Sequence, residues 1–287
     1  MSIIVDKLSY TYDPGLSFEK KALDNVSLTI HEGQIAGIIG HTGSGKSTLI
    51  QHMNGLIKAT TKGKVLVDQE DLFDLRKDVH TVCQKVGMVF QYPEMQLFEE
   101  TVEKDVGFGP KNLGLNEEVV KERVIEALDM VDLDYDKIHN RQPFFLSGGE
   151  KRRVAIAGIL AMKPKYLILD EPTAGLDPYT REQLLDEILK INKEKGITII
   201  MVSHDMDEVS RLTDVLHVMH KGRIALSGAT REVFAQYEKI RELGLMVPEI
   251  TEVLLGISRC KPDLDYTLFD LDLAVKEILK HKHGNGN

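Results

Sequence analysis

The sequence predicts an α/β fold built on an open sheet of buried strands. Three apolar runs carry that expectation: Gln34–Ile39, Lys165–Asp170 and Thr198–Val202. Each is of strand length and reads as a buried strand. Each also ends in residues with chemistry: Gly40–Ser47, then Asp170-Glu171, then Ser203-His204-Asp205. In an open α/β sheet, the carboxyl ends of the strands are where ligands bind.

The first run sets the type of core. Gly40-His41-Thr42-Gly43-Ser44-Gly45-Lys46-Ser47 fits G-x-x-x-x-G-K-[ST], a phosphate-cradling loop. The residues from Ser47 to Met53 read as the start of a helix, so the order is strand, loop, helix, as the motif requires. Gly40, Gly43 and Gly45 let the backbone curl until its N–H groups face one anion. The helix start adds its positive dipole end. Lys46 is expected to reach the β- and γ-phosphates, and Ser47 to ligate Mg²⁺. Thr48 is expected at the α-phosphate. These features predict a P-loop NTPase (RecA-like) core that takes ATP and Mg²⁺.

The second and third runs supply the rest of such a site. Asp170 is expected to hold the hydration shell of Mg²⁺. Glu171, one residue on, can polarise an attacking water. Two carboxylates after an apolar strand are common by themselves, and a lone histidine at a strand end is more often structural. Their company with the phosphate loop makes them candidates, with His204 at the γ-phosphate. A further glycine-rich element, Leu146-Ser147-Gly148-Gly149-Glu150, has no use within one folded chain. It suggests an ATP site completed only when two such domains meet.

The ordered set Gly40–Ser47, Gln91, Leu146–Glu150, Leu167–Glu171, Ala174-Gly175-Leu176-Asp177 and His204 resembles the nucleotide-binding subunit of ATP-binding-cassette (ABC) transporters. The resemblance covers residues 1 to about 246. In that family's terms these are the Walker A loop, Q-loop, signature, Walker B, D-loop and switch histidine. Phe90–Phe98, Thr101–Pro110 and Gly244–Thr251 are similar to the energy-coupling factor (ECF) subgroup, and most of all to the second, A-prime type, of its two paralogous ATPases.

The resemblance implies catalytic roles for Glu171, His204 and Gln91, with Gln91 also touching the metal beside Ser47 and Asp170. It implies that Tyr12 stacks on adenine, with Tyr10 as the rival ring. It implies that Ser147, Gly148, Gly149 and Asp177 serve nucleotide across a dimer interface. The implied partners are a paralogous ATPase, a transmembrane T component docked on Gln91–Gly109, and a substrate-binding S component. The chain would then sit as a peripheral subunit at the cytoplasmic face of the cell membrane, driving uptake of a vitamin or a metal such as cobalt or nickel. One position departs from the pattern: Glu150 stands where the family usually has Gln. A carboxylate near the partner's γ-phosphate would repel it, which favours a heterodimer over a self-dimer. The competing reading is a soluble ABC ATPase without transport, although those usually carry two cassettes or a long coiled coil.

The chain of 287 residues allows one large α/β domain with an extension. A net charge of −9 argues against nonspecific nucleic-acid binding. No run approaches the ~20 apolar residues needed to span a bilayer. Cys83 and Cys260 are isolated and read as inert thiols. Residues 1 to 33 alternate apolar and polar around a turn at Asp13-Pro14-Gly15, which predicts an antiparallel β layer. Residues from about 92 to 163 read as a helical subdomain, with Val120, Val124, Ala127, Leu128 and Val131 at helical spacing. Residues 247–287 read as a C-terminal helical extension. Ile250, Val253, Leu254 and Ile257 would form one of its apolar faces, and Leu268, Leu271, Leu273, Val275 and Leu279 a second cluster. The end from His281 is expected to fray.

Overall fold

A computed structural model describes residues 1–17, 19–57, 62–73 and 84–282. Cys83 and His283 lie outside the described residues.

Two sheets form the frame. The first is antiparallel, in the order β2-β1-β4-β5, from β1 (Ser2–Tyr12), β2 (Lys20–His31), β4 (Lys62–Val67) and β5 (Glu70–Asp71). In β2 the alternate residues Val26, Leu28 and Ile30 are buried, as the alternating pattern predicts. The second sheet has the order β10-β9-β3-β8-β7-β6. Its members are β3 (Ile35–Ile39), β6 (Val86–Val89), β7 (Tyr166–Asp170), β8 (Thr198–Val202), β9 (Val215–His220) and β10 (Arg223–Ala229). Only the β9–β10 pair is antiparallel. Every residue of β3, β6 and β8 is buried, the signature of parallel strands covered on both faces.

Register decides where the chemistry lands. β8 lies between β3 and β7, pairing Val202 with both Ile38 and Asp170. The phosphate loop after β3, the carboxylates ending β7 and the histidine after β8 therefore meet at one edge.

Helices cover that sheet. The Lys46–Met53 helix packs Leu49, Ile50 and Met53 between the β layer and the sheet. The helical subdomain packs Val102, Val106, Val124, Val154 and Leu160 in the core that also holds Leu167 and Leu169 of β7. Asn116 starts the Glu117–Met130 helix by accepting the Val119 amide at 2.9 Å. Gly196 ends the Pro178–Lys195 helix at φ 66°, a left-handed cap.

Beyond Leu245 the chain forms the Glu249–Ser258 and Leu271–Lys282 helices. Leu254 packs there with Leu264 and Ala274, flanked by Ile250, Ile257 and Leu268. Val253 is exposed, outside the part of that face which packs on its own chain. In the last helix the inward residues are Ala274 and Ile278, while Leu271, Leu273, Val275 and Leu279 face outward, away from their own chain. His281 is held in the helix by Glu277, 2.9 Å from Nε2 to Oε1, so fraying does not begin there.

Candidate nucleotide site

One open cavity of about 700 Å³ lies at the C-terminal edge of the second sheet. It is lined by Gly40, His41, Thr42, Gly43, Gly45, Lys46, Ser47 and Thr48, and by Gln91, Asp170, Glu171, His204 and Tyr12. The volume suits a nucleotide. Ser44 alone of the loop turns away; its side chain is buried and its hydroxyl has no partner. Its carbonyl takes the Gly222 amide at 2.9 Å, so the loop is anchored to the β9–β10 turn.

Glycine at the loop's hinge is a steric requirement. Gly45 has φ 105°, and a Cβ there would stand 2.5 Å from the Ala22 carbonyl oxygen. The loop thus presses against the β layer, which holds the helix start open towards the cavity.

The charges are strained in a way that fits a Mg²⁺-bound anion. Lys46 donates to the carbonyls of Gly40 at 2.6 Å and His41 at 3.2 Å. Burial pulls its pKa down, against the nearby Glu171 and Asp170. Burial and then Glu171 push Asp170 up to about 6, and Lys46 only partly offsets this. A phosphate would satisfy the lysine, and a divalent cation would relieve the two adjacent carboxyls. Ser47 offers the hydroxyl ligand on the same cavity wall. The residues therefore fit Mg²⁺.

Glu171 is poised between backbone and histidine. It sits at φ 51°, a left-handed conformation uncommon for a glutamate. Its amide donates to Val202 at 2.9 Å, which binds the turn to β8. Its Oε2 lies 2.6 Å from His204 Nδ1. The strand-end histidine thus orients a candidate base.

Tyr12 takes the place at the cavity mouth. Its hydroxyl meets Thr48 Oγ1 at 3.2 Å. Tyr10 does not line the cavity; it packs edge-on against His52 at 4.7 Å, in the core under the β layer. Tyr12→Ala is expected to weaken nucleotide binding by about 1–3 kcal/mol, with Tyr10→Ala near wild type. Titration with a fluorescent nucleotide checks this, and the reverse ranking would move the stacking ring to Tyr10.

Four candidates are not brought to the cavity. Ser147, Gly148 and Gly149 stand at the N-terminus of the Gly148–Leu160 helix. Asp177 caps the Pro178–Lys195 helix, accepting the Tyr179 and Thr180 amides at 3.1 Å. Both helix starts lie away from this chain's own cavity.

The geometry corrects the argument built on Glu150. Its Oε2 accepts the Ser147 amide at 2.8 Å while Ser147 Oγ accepts the Glu150 amide, a capping box. Arg141 adds an ion pair at 3.1 Å. Burial opposes ionisation, but the Ser147 bonds and Arg141 hold the carboxyl below its usual range. The carboxylate is held at the helix start and paired with Arg141, which weakens the repulsion that would favour a heterodimer.

Some lining residues escaped sequence reasoning. Lys20, Ala22, Met206 and the stretch Gly244–Met246 complete the cavity wall. None belongs to a phosphate or carboxylate motif, and they are placed only by packing.

A phosphate loop, two strand-end carboxylates and a strand-end histidine on one cavity, with Ser147-Gly148-Gly149 at a separate helix start, are the arrangement of an ABC-type ATP-binding cassette. The ABC transporter family matches residues 23–174. The energy-coupling factor transporter ATP-binding protein EcfA2 of Clostridium acetobutylicum is 51% identical over 280 residues, 98% of each chain. Its counterpart in Clostridioides difficile is 46% identical, covering 100% of this chain and 99% of its own. Among solved structures, cbiO1 of Clostridium perfringens, described as part of the ABC transporter complex cbiONQ, is 40% identical with a TM-score of 0.74, over 84% of this chain and 93% of its own. A dimeric ATP-binding cassette bound to ADP and Pi is 30% identical with a TM-score of 0.69, over 79% and 98%. The chain belongs to the energy-coupling factor transporter ATP-binding proteins of the ABC transporter family. It is an ATP-binding, ATP-hydrolysing subunit of an ECF-type importer.

Proposed function

We propose that this chain holds Mg²⁺·ATP between its own cavity and the signature of a second cassette. The observation that carries this is the separation of the two halves: Gly40–Ser47, Asp170, Glu171 and His204 share one cavity, and Ser147–Gly149 stand elsewhere. Lys46 and the loop amides would grip the β- and γ-phosphates. Ser47, Asp170 and Gln91 would hold Mg²⁺, which neutralises phosphate charge when bound. Glu171, oriented by His204, takes the proton of the attacking water. Ser147 can donate its hydroxyl proton to the partner's γ-phosphate while its oxygen still accepts from Glu150. Loss of the γ-phosphate removes that contact and lets the pair open.

The partner in this reading is a paralogous ATPase, as the ECF likeness suggests. Residues 1–246 act as the cassette and 247–287 as an extension. The outward row Leu271, Val275 and Leu279 supports a role for that extension in holding the pair between ATP cycles. Among the described residues, no helix is long and apolar enough to cross a membrane, so the transport path belongs to other subunits. These are a T component and an S component, with this chain peripheral at the cytoplasmic face. The cargo is a vitamin or another micronutrient, selected by the S component. Nucleic acid has no part in this reading.

The T component would dock at Gln91–Gly109. Met95 is 84% exposed and Phe98 59%, with Phe98 edge-on to the half-exposed Phe108 at 4.9 Å. Leu97 does not belong to this patch; at 8% exposure it lies in the helical-subdomain core. Phe98→Glu is therefore the informative change. It is expected to release the subunit from membranes carrying the other components, with thermal unfolding unchanged. Undiminished membrane association would count against the groove.

A further inference from the structure

The stretch leading to the C-terminal helices runs along the wall of the nucleotide cavity. Gly244, Leu245 and Met246 line that cavity beside His41. Gly244 has φ 75°, and a Cβ on it would stand 2.7 Å from His41 Nε2. A side chain is thus opposed by the backbone and by the ring. The exposed imidazole of His41 thus lies beside a stretch of backbone that carries no side chain at Gly244. Val247 is 2% exposed, in one cluster with Met206, Leu255 and Ile39, the last residue of β3 before the loop. Asp207 Oδ1 then accepts the Glu249 amide at 2.9 Å, at the first residue of the Glu249–Ser258 helix. Asp207 belongs to the Met206–Leu212 helix, which directly follows His204 and Asp205. The strap Gly244–Glu249 therefore lies alongside the His41 ring of the phosphate loop at one end and is bonded at the other to the helix that follows His204.

We propose that this strap positions His41, and with it the phosphate loop, and couples nucleotide occupancy to the C-terminal helices. A loop that closes on phosphate changes its contact at Gly244. Buried Val247 and the Asp207 bond leave the strap little slack, so the change is carried to Glu249. Such coupling is reciprocal: whatever the extension packs on alters nucleotide affinity by the same factor. Gly244 and Asp207 act through other groups and are positioning residues. The inference rests on the nucleotide reading of the cavity.

The test is amide exchange in Glu249–Ser258 of the full-length chain, with and without MgADP. ADP fills the phosphate loop but lacks the γ-phosphate that a partner's signature grips, so dimer closure does not contribute. ADP is expected to slow exchange there by about fivefold, within the usual range of coupling between sites. Asp207→Ala should abolish the slowing while ADP still binds. ADP titrations of Gly244→Ala, His41→Ala and the double variant form a second arm. Gly244→Ala should weaken affinity more when His41 is present than when it is replaced, because only the strain at φ 75° then remains. Equal exchange with and without bound ADP in the wild type would overturn the proposal, as would additive effects of the two substitutions. Should Gly244→Ala not fold, the exchange arm decides alone. Failure of the wild type to bind ADP would instead overturn the nucleotide reading, and the coupling with it.

Discussion

Replacing Glu171 by Gln is expected to lower ATP turnover by about 10²-fold or more while ATP binding is retained, the range for loss of a general base. The amide keeps the side chain's size and its place beside His204 but cannot take a proton from water. The turn itself should hold, because the Glu171 amide still donates to Val202. ATP-bound closed pairs should accumulate, visible by size exclusion after loading with ATP. His204→Ala should also slow turnover, by freeing the carboxylate that Nδ1 now meets at 2.6 Å. Steady-state hydrolysis at the wild-type rate in a Glu171→Gln complex would remove Glu171 from this role.

Arg152→Ala is expected to destabilise the chain by about 3 kcal/mol, near the lower end for breaking a buried pair by removing one partner. Arg152 is 2% exposed, in the signature helix. Its guanidinium makes two bonds of 3.1 Å to Glu94, just past Gln91. Two more, each 2.9 Å, go to the carbonyls of Pro172 and Ala174, just past Glu171. One side chain therefore ties together the Gly148–Leu160 helix, the segment just past Gln91 and the turn just past Glu171. Removal leaves a carboxylate and two carbonyls without their donor. Glu94 retains some water contact, which keeps the loss from the top of the range. Thermal unfolding should fall by about 5–10 °C, and turnover should fall with it. Lys at this position cannot reproduce the two-pronged bond and should restore only part. An Arg152→Ala chain that unfolds at the wild-type temperature would contradict the assignment.

What the sequence makes legible here is local in character. Gly40–Ser47 is a contiguous motif whose flanks declare strand and helix, and the structure has β3 and the Lys46–Met53 helix there. The apolar runs of β7 and β8 end where their carboxylates and histidine begin, so the cavity edge follows from strand order. Arg152 was not legible: its four bonds join segments far apart in sequence, and a charged residue in a helix otherwise reads as solvated surface. The strap at Gly244 was missed for the same reason, since its contact with His41 spans the whole cassette. Leu97 and Phe98 are neighbours of like hydrophobicity, and only the fold turns one inward and one outward. In the last helix, Leu271, Val275 and Leu279 share a face as regular as the one that packs through Ala274 and Ile278, so spacing alone does not say which face meets its own chain. Glu150 reads in the sequence as a charge near the partner's phosphate because its two partners, Ser147 through two bonds and Arg141 through one, appear only once the helix start is built.

The central claim is that this cassette's ATP site is finished by another cassette. The most direct measurement is single-turnover ATP hydrolysis by this chain at a concentration where it is monomeric. A paralogous ATPase is then added with its signature serine either intact or replaced by a bulky residue. To isolate the site on this chain, the added subunit carries an inactive phosphate loop. The account predicts negligible hydrolysis by the chain alone, a rise that saturates with the intact partner, and no rise with the altered signature. Full-rate hydrolysis by the isolated monomer, or an equal rise with the altered signature, would contradict it.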